Sequence, residues 1–467
     1  MPAMTRTSRL AAAALGVITL AGCNSLDVGD LNNPGLEGLQ ESPTPAALNV
    51  AATGLLVGLR VGVAEPNGWI TILGALGREG FNLNTISDPR YVQELIQGPL
   101  DPGSGAFGAN FWAARYANIR NAVIVLNATD KVVGLTDAQK EGLRGFAKTI
   151  EALELLRVIV TRDANGAVID VNADPTGAPG PIAVKADVYT RIATLLDEAS
   201  THLGAAGATF SFALGAGFAG FDTPATFLKV NRAIRARAAV YNDDFAVALT
   251  ALTGSFLDTA APLTLGVYHV YSTGSGDLTN NILEGTPVVR ANPTLITSAQ
   301  LRVGGAPDKR VTDKIESGAS GTGSAGGVSI TSDQHFKIYP TNATPVAIIR
   351  NEELILLRAE ANLGLGNLAQ ALLDINFIRT TSGGLAAYSG SVTASALLDE
   401  LLYNKRYSLL WEGGNSWIDY RHYNKLTALP RMVTGGKFFT KMPFPTNECL
   451  ARSDAASLTG CSPEPGS

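Results

Sequence analysis

The sequence predicts a mainly α-helical protein in which helical hairpins form one body, with long loops and short strands inserted between them. Three observations predict this fold class: apolar residues recur at helical spacing, helix-start signals precede them, and glycine turns separate neighbouring apolar stripes. One stripe has intervals of four, three, four and three residues and consists of Trp112, Tyr116, Ile119, Val123 and Leu126. That spacing places all five side chains on one face of a helix.

Local signals mark where further helices begin. Thr136 and Gln139 have the spacing of a capping box, in which each side chain accepts a hydrogen bond from the other residue's backbone N–H. Pro224 follows Thr223, and proline favours the first position of a helix. A helix is also predicted over residues 49–60.

Two helices near the C-terminus are predicted to form a hairpin. The first carries Leu354, Leu357 and Ala361 on one face, and Gly364-Leu-Gly366 then breaks it before a second apolar stripe. Two antiparallel helices joined by so short a turn are typical of tetratricopeptide repeats. A last helix is predicted over residues 394–411, with loops to the end of the chain.

Residues 254–347 interrupt the helical pattern and are predicted to form a variable, loop-rich insertion. Gly, Ser, Thr and Pro alternate there with short β-branched runs, which leaves room for short strands. Residues 317–329 are almost entirely Gly, Ser, Ala and Thr, and this composition predicts a flexible loop. Irregular segments of this length are more often functional than not.

The N-terminus has the three parts of a secretory signal. Arg6 and Arg9 give a positive start, residues 10–20 are apolar and rich in alanine, and small residues precede Cys23. The apolar run is too short to span a bilayer, which needs about 20 residues. The sequence Leu-Ala-Gly-Cys ending at Cys23 matches the bacterial lipobox, whose cysteine is acylated before cleavage. The alternative is an ordinary signal peptide with a chance cysteine.

These patterns predict the order of segments along the chain. Residues 1–22 are a lipoprotein signal peptide, residues 23–45 are a lipidated tether, and residues 46–467 form one helical body. That body includes the C-terminal hairpin and the helix after it, at residues 348–425. Cys23 is the predicted lipid-attachment site. Bacterial lipoproteins usually carry three acyl chains, often palmitate, and several chains hold a protein on a membrane where one does so only marginally.

The charge and the cysteines limit the classes of partner. The 467 residues carry a net charge of −5, and removal of the signal peptide takes away two arginines and no acidic residue. Lys and Arg do not cluster, whereas nucleic-acid binding requires such clusters, so no nucleic-acid partner is expected. Export implies an oxidising compartment, in which Cys449 and Cys461 are predicted to form a disulfide. The alternative is two free thiols.

The sequence contains no recognisable catalytic constellation. The four histidines lack metal-ligand spacing, and no Gly-x-Ser-x-Gly motif is present. Glu352-Glu353 and Asp399-Glu400 are paired carboxylates, but adjacent helical residues point about 100° apart and do not converge. Both pairs are therefore interpreted as solvated helix faces. The sequence therefore predicts that the protein is not an enzyme and that it needs no metal or cofactor.

Aromatic residues next to amides and charges in loop-like sequence indicate a binding surface. A sugar ring packs its apolar face on an aromatic side chain, while polar neighbours bond its hydroxyls, and loops on a rigid scaffold are common binding sites. The alternative is that these rings fill small cores, the role assigned to Trp112, Tyr116 and Trp411. The predicted ligand-binding residues are Trp69, Tyr91, Asn67, Arg90 and Tyr271.

Three C-terminal segments resemble the SusD/RagB family of outer-membrane nutrient-binding lipoproteins. The hairpin contains Arg358-Ala-Glu-Ala and then Asn376-Phe-Ile-Arg379, similar to the family's Arg-Ala-Glu-Ala and Asn-x-x-Arg. Leu410-Trp-Glu-Gly-Gly-Asn-Ser-Trp-Ile-Asp-Tyr-Arg421 is similar to the family's Leu-Trp-Glu-Glu-Gly-His-Arg-Trp-Phe-Asp-Leu-Arg. Met442-Pro-Phe-Pro445 resembles its Pro-Ile-Pro. The resemblance covers most of the mature chain and is weakest over residues 254–347.

The chain departs from the family pattern at Gly413, Asn415 and Ser416, where a second Glu, a His and an Arg are usual. These departures concern the packing around Trp417 and Asp419 more than a binding function. Family members that bind different ligands differ from one another in these variable loops. The resemblance therefore does not carry over a particular substrate.

The resemblance implies a SusD-like body and a non-catalytic function. Family members are lids over a SusC-like TonB-dependent transporter barrel, to which they deliver oligosaccharides or, in some cases, peptides. This protein is accordingly expected on the cell outer membrane, lipid-anchored and facing the exterior, with a glycan or peptide ligand. Two alternatives remain open: a periplasmic, lipid-anchored tetratricopeptide adaptor for protein partners, and an anchored glycan-cleaving enzyme.

Overall fold

A computed structural model describes residues 36–84, 90–282 and 288–467 of the chain. The predicted signal peptide, most of the predicted tether and the predicted lipid-attachment residue Cys23 lie outside these residues. The domain boundaries therefore stay predictions.

Most of the described chain is helical, and the helices begin where the local signals predict. The Thr44 side chain accepts from the backbone N–H of Ala47, which starts the predicted helix four residues before residue 49. Thr136 and Thr223 each form a complete capping box. The helices of the first half are Leu36–Glu41 (α1), Pro45–Arg60 (α2), Trp69–Leu76 (α3), Arg90–Gln97 (α4), Gly105–Gly108 (α5), Ala114–Lys131 (α6), Asp137–Arg162 (α7), Lys185–Ala205 (α8), Pro224–Tyr241 (α9) and Phe245–Thr253 (α10).

The second half contains the predicted hairpin. Its two helices, Asn351–Gly364 and Leu368–Thr381, are joined at Leu365–Asn367, where Gly366 has a φ of +77° that glycine adopts without strain. The helix predicted over 394–411 ends earlier, at Ser408. The helices are Thr294–Thr297 (α11), Lys309–Lys314 (α12), Asn351–Gly364 (α13), Leu368–Thr381 (α14), Ala394–Ser408 (α15), Asn415–His422 (α16) and Thr446–Leu450 (α17).

Consecutive helices pack against each other and form one body. Helices α6 to α10 pack in sequence, each on the next, and α13 packs on both α14 and α15. Helix α10 also packs on α13, which connects the two halves. The main core contains apolar side chains from α2 through the C-terminal segment. This arrangement confirms the prediction of a mainly α-helical body of tetratricopeptide-like hairpins.

The inserted strands form four two-stranded antiparallel sheets within the described residues. Two of them pair strands distant in sequence, and the other two each pair consecutive strands. The pairs are Gly80–Asn82 (β1) with Val289–Ala291 (β5), Ala167–Val168 (β2) with Ile182–Ala183 (β3), Gly266–His269 (β4) with Val346–Arg350 (β8), and Ile315–Ala325 (β6) with Val328–Phe336 (β7).

The β6–β7 hairpin corrects the prediction of a flexible loop at residues 317–329. Alternate β7 residues, among them Val328 and Ile330, are buried against the core, and this alternation fixes the strand. The opposite face is polar, and the hydroxyls of Thr322 and Thr331 lie 2.7 Å apart across the strands. Gly-, Ser- and Thr-rich composition therefore forms an ordered sheet here because one face is buried.

Candidate functional site

Buried asparagines join the loop that contains Asn67, one of the sequence-predicted ligand residues, to other loop segments. Asn82 donates to the carbonyl of Pro66 at 2.8 Å, and Asn280 donates to the carbonyl of Thr344 at 2.9 Å. Both asparagines are 2 % exposed, so these bonds are shielded from water. Asn281 joins the same group because its backbone N–H donates to the carbonyl of Ala64 at 2.9 Å. We call this region, residues 64–67, 82–84, 279–282 and 341–344, the amide surface.

Other amides of this surface are accessible. Asn67 is exposed, and its backbone carbonyl accepts from Asn110 at 3.4 Å. Asn342 is half-buried, and its backbone carbonyl accepts from the N–H of Asn280 at 2.7 Å. Within the described chain the side chains of Asn67 and Asn342 make no hydrogen bond. Each amide has two donors and an acceptor available for a ligand.

Trp69, the leading sequence-predicted ring contact, lies inside the protein. It begins α3 and is only 8 % exposed. Its indole stacks on Phe111 at a centroid distance of 5.5 Å, and its Nε1 donates to the carbonyl of Gly413 at 3.3 Å. Trp69 therefore offers no open ring face in this structure.

The other predicted residues divide between buried and undescribed positions. Tyr91 and Tyr271 are 9 % and 7 % exposed. Burial raises the pKa of Tyr271, and its hydroxyl has no hydrogen-bond partner among the described residues. Arg90 begins α4, but its side chain lies outside the described set. Of the five, Asn67 alone is brought to the amide surface with an exposed side chain, and ligand contact by all five stays a prediction.

Asn82, Asn281 and Asn342 were not predicted from the sequence to belong to a binding surface. A usable signal was present, because asparagines recur at residues 82 and 84 and at residues 280 and 281 in otherwise loop-like sequence. Asparagine is favoured in turns because its side chain bonds nearby backbone groups. Its recurrence could have indicated loops that are held in place.

The paired carboxylates are engaged in structural ion pairs. Glu352 and Glu353 are 4 % and 6 % exposed, which corrects the interpretation of a solvated face. Glu353 accepts from Arg237 at 2.6 Å, while Glu352 pairs with Arg350, which lowers the pKa of Glu352 to about 2 against the opposing effect of burial. Glu400 is also buried. The ion pairs of Glu353 with Arg237 and of Glu400 with Arg379 hold elements of the fold together.

The described residues offer no metal centre. They contain no group of three or more His, Cys, Asp or Glu side chains that could hold an ion. His269 is buried, and burial and the neighbouring Arg157 keep its pKa well below the usual value. Its Nε2 lies 2.7 Å from an Arg157 guanidinium nitrogen.

The C-terminal cysteines are joined. A disulfide links Cys449 and Cys461, whose Cα atoms lie 5.8 Å apart. The two cysteines are separated by 12 positions in the sequence.

None of the helices in residues 36–84, 90–282 and 288–467 is long and apolar enough to cross a membrane.

Comparison with known proteins gives matches in structure and none in sequence. No protein-family model matches the chain, and no curated protein is similar enough in sequence to match it. A SusD superfamily protein from Bacteroides vulgatus is similar with a TM-score of 0.66 at 14 % identity, covering 87 % of this chain and 97 % of that chain. A SusD superfamily protein from Bacteroides fragilis gives 0.65 at 15 % identity, covering 88 % and 99 %.

A protein named as SusD-like and carbohydrate-binding, also from Bacteroides fragilis, gives a TM-score of 0.63 at 14 % identity, covering 92 % of this chain and 95 % of that chain. The similarity extends over nearly the whole length of these proteins. The chain therefore has the SusD-like fold, which confirms at the level of the fold the resemblance found in the sequence.

Proposed function

We propose that this protein is a lipid-anchored, non-catalytic glycan-capturing protein of the outer membrane that delivers its ligand to a TonB-dependent, SusC-like transporter barrel. The observation that carries the proposal is a fold shared along most of its length with a protein named as SusD-like and carbohydrate-binding. Lipid on Cys23 would hold the chain at the membrane. The proposal predicts binding without chemical change of the ligand.

The amide surface is suited to hydroxyl-rich ligands. Amide side chains both donate and accept hydrogen bonds, as sugar hydroxyls do. The buried amides of Asn82 and Asn280 hold the loops in place before a ligand arrives, which reduces the entropy lost on binding. The exposed amides of Asn67 and Asn342 would then make the contacts.

A surface of this kind is expected to bind with modest affinity. A dissociation constant of about 1 mM to 1 μM corresponds to about 4–8 kcal/mol. Weak capture suits a protein that passes its ligand on, because tight binding would slow release. Enclosure between the protein and a barrel would strengthen binding during the transfer.

Replacing both Asn67 and Asn342 with alanine is expected to weaken oligosaccharide binding about 10-fold or more, since each lost hydrogen bond contributes roughly 1 kcal/mol. Neither side chain forms a hydrogen bond within the described residues, so the midpoint of unfolding should not change. Isothermal titration calorimetry against a panel of oligosaccharides measures the affinity, and chromatography of the recovered ligand measures its chain length.

Asn127→Ala, at an exposed position on α6, is the matched control and should bind as the native protein does. Unchanged affinity in the Asn67→Ala/Asn342→Ala variant would remove the amide surface from the proposal. Ligand shortened by the native protein would favour the glycan-cleaving alternative.

A further inference from the structure

A cleft of about 620 Å³ has three walls, its lining also includes residues 102–104 and Gly108, and none of its lining residues belongs to the amide surface. One wall is the π-helical turn Ala109–Ala113 with the start of α6, the second is residues 168–180, and the third is residues 445–451. The volume is in the range of small-molecule sites, roughly 300–1,000 Å³. π-Helical turns occur often at functional sites.

The third wall belongs to a closed C-terminal segment, residues 445–461, which we call the clasp. The disulfide between Cys449 and Cys461 closes residues 449–461 of this segment into a loop. Within it, Glu448 accepts from Nε1 of Trp112 at 2.9 Å, and Arg452 donates to the same carboxylate at 2.6 Å. Arg452 also donates to the carbonyl of Gly180 at 2.9 Å. The clasp is thus bonded to both other walls, which fixes the width of the cleft.

The floor of the cleft is the partly exposed ring of Tyr116, which the buried ring of Trp112 holds in place. Trp112 packs on Tyr116 at a centroid distance of 4.5 Å and on Phe444 at 5.1 Å. The hydroxyl of Tyr116 accepts from the N–H of Val168 at 2.7 Å and donates to its carbonyl at 3.1 Å. Small residues such as Ala117 and Gly180 line much of the remaining wall and leave the space open.

Ser104 provides the observation that points to a ligand. It lines the cleft and is 2 % exposed, yet its Oγ has no hydrogen-bond partner in residues 36–84, 90–282 and 288–467. Buried hydroxyls in native proteins are nearly always bonded, because an unpaired one loses its bonds to water without replacement. A ligand hydroxyl in the cleft could both donate to this oxygen and accept from it.

The charges around the cleft are balanced, which favours an uncharged ligand. The carboxylate of Glu448 is neutralised by Arg452 at 2.6 Å. Arg120 and Asp170 are the other two charged residues of the lining, one of each sign. The remaining polar lining includes Asn172 and Asn447, whose amides match hydroxyl groups and carry no charge.

We propose that this cleft is a second binding site, which takes a short segment of an uncharged oligosaccharide and bonds one of its hydroxyls through Ser104. The ligand class proposed for this site rests on the proposed glycan capture, but the site consists of a different set of residues. Tyr116, which is partly exposed, forms the apolar floor, the buried ring of Trp112 supports it, and the clasp holds the site open.

Two variants test the site by opposite means. Ser104→Ala removes a hydroxyl that has no protein partner, so it should leave the melting temperature unchanged or raise it while weakening ligand binding about 5- to 10-fold. Ala117→Leu, at an exposed position of α6 in the lining, should obstruct the cleft and weaken binding further. Ser395→Ala and Ala369→Leu, at exposed positions of α15 and α14, are the matched controls.

The probes are neutral hexasaccharides of glucose, xylose and mannose, with oligogalacturonate and a Gly-Ala hexapeptide as comparisons. Binding of each probe to the full mature chain is measured by calorimetry.

Loss of neutral-hexasaccharide binding in both cleft variants, with the controls unchanged, is the expected result. Native affinity in both cleft variants overturns the cleft site and leaves glycan capture standing if the Asn67→Ala/Asn342→Ala variant binds weakly. Cleft-dependent binding of the galacturonate or the peptide alone overturns the uncharged-glycan class. Binding of no probe by the native chain overturns both glycan capture and the cleft proposal.

Discussion

Replacing Lys405 with methionine is expected to destabilise the protein by about 3–5 kcal/mol at neutral pH, because it leaves two buried carboxylates without their cation. Nζ of Lys405, on α15, lies 2.6 Å from Oε2 of Glu360 on α13 and 2.7 Å from Oδ1 of Asp419 on α16. All three side chains are at most 3 % exposed. One ammonium group thus joins three helices.

The loss should depend on pH. In the native protein, burial and the nearby Glu360 raise the pKa of Asp419 to about 7 despite its bond to Lys405. Without Lys405, Asp419 would be a buried carboxyl group whose folded-state pKa lies still further above its unfolded value. Such groups favour the folded state at low pH and lose this contribution as the pH rises. The variant's deficit should therefore be smaller at pH 5 than at pH 8.

Urea unfolding at the two pH values measures this difference. Lys425→Met is the matched control, because Lys425 pairs with Asp399 at 2.9 Å with side chains 30 % and 60 % exposed. A surface pair of this kind contributes about 0–1 kcal/mol. A Lys405→Met variant as stable as the control would contradict the role assigned to the three buried charges.

Replacing Trp411 with alanine is expected to cost about 3–5 kcal/mol of stability, as for other large aromatic residues in cores. The ring is fully buried and stacks on Phe336 at a centroid distance of 4.3 Å. Gly74 and Gly80 lie so close to the indole that a methyl group at either would meet it within 3 Å. Because glycine has no side chain, neither of these residues could fill the cavity that truncation of Trp411 leaves.

Trp411→Phe is the informative control for this loss. It keeps an aromatic ring beside Phe336 and removes Nε1, which has no hydrogen-bond partner within the described residues. Its cost should be clearly smaller than that of alanine in heat or urea unfolding. Equal losses for both variants would show that stacking on Phe336 contributes little.

The helices were predictable because their signals are local. Thr136 and Thr223 bond within their own first turn, so the sequence window that contains the cap also contains its partner. The early end of α15 was not predictable in this way. Trp411 has a φ of +58° and packs against residues of α3 and β1, far away in sequence.

The β6–β7 hairpin and the buried rings required contacts distant in sequence. The inward alternation at residues 328–336 was visible, but the Gly- and Ser-rich composition before it favoured a loop. Trp69 and Tyr271 stand next to polar residues in loop-like sequence and were predicted to contact a ligand. Phe111 and Gly413, both remote in sequence, contact Trp69, and no local pattern reports that contact.

Several residues that carried the family resemblance proved structural. Glu360 and Asp419 bind Lys405, and Trp417 is fully buried with its Nε1 donating to the carbonyl of Phe439 at 2.6 Å. Ser416, one of the departures from the family pattern, donates to the buried Glu79 at 2.6 Å. The family motifs therefore belong to the scaffold. The ligand class has to be inferred from the loops and the cleft.

Glycan capture for a transporter is tested most directly by purifying the full lipidated protein, through an affinity tag, from detergent-solubilised outer membrane. A β-barrel transporter is expected to co-purify in stoichiometric amount, and added oligosaccharide should be recovered bound and with its chain length unchanged. Recovery of the protein without a barrel, or of shortened oligosaccharide, would contradict the proposed function.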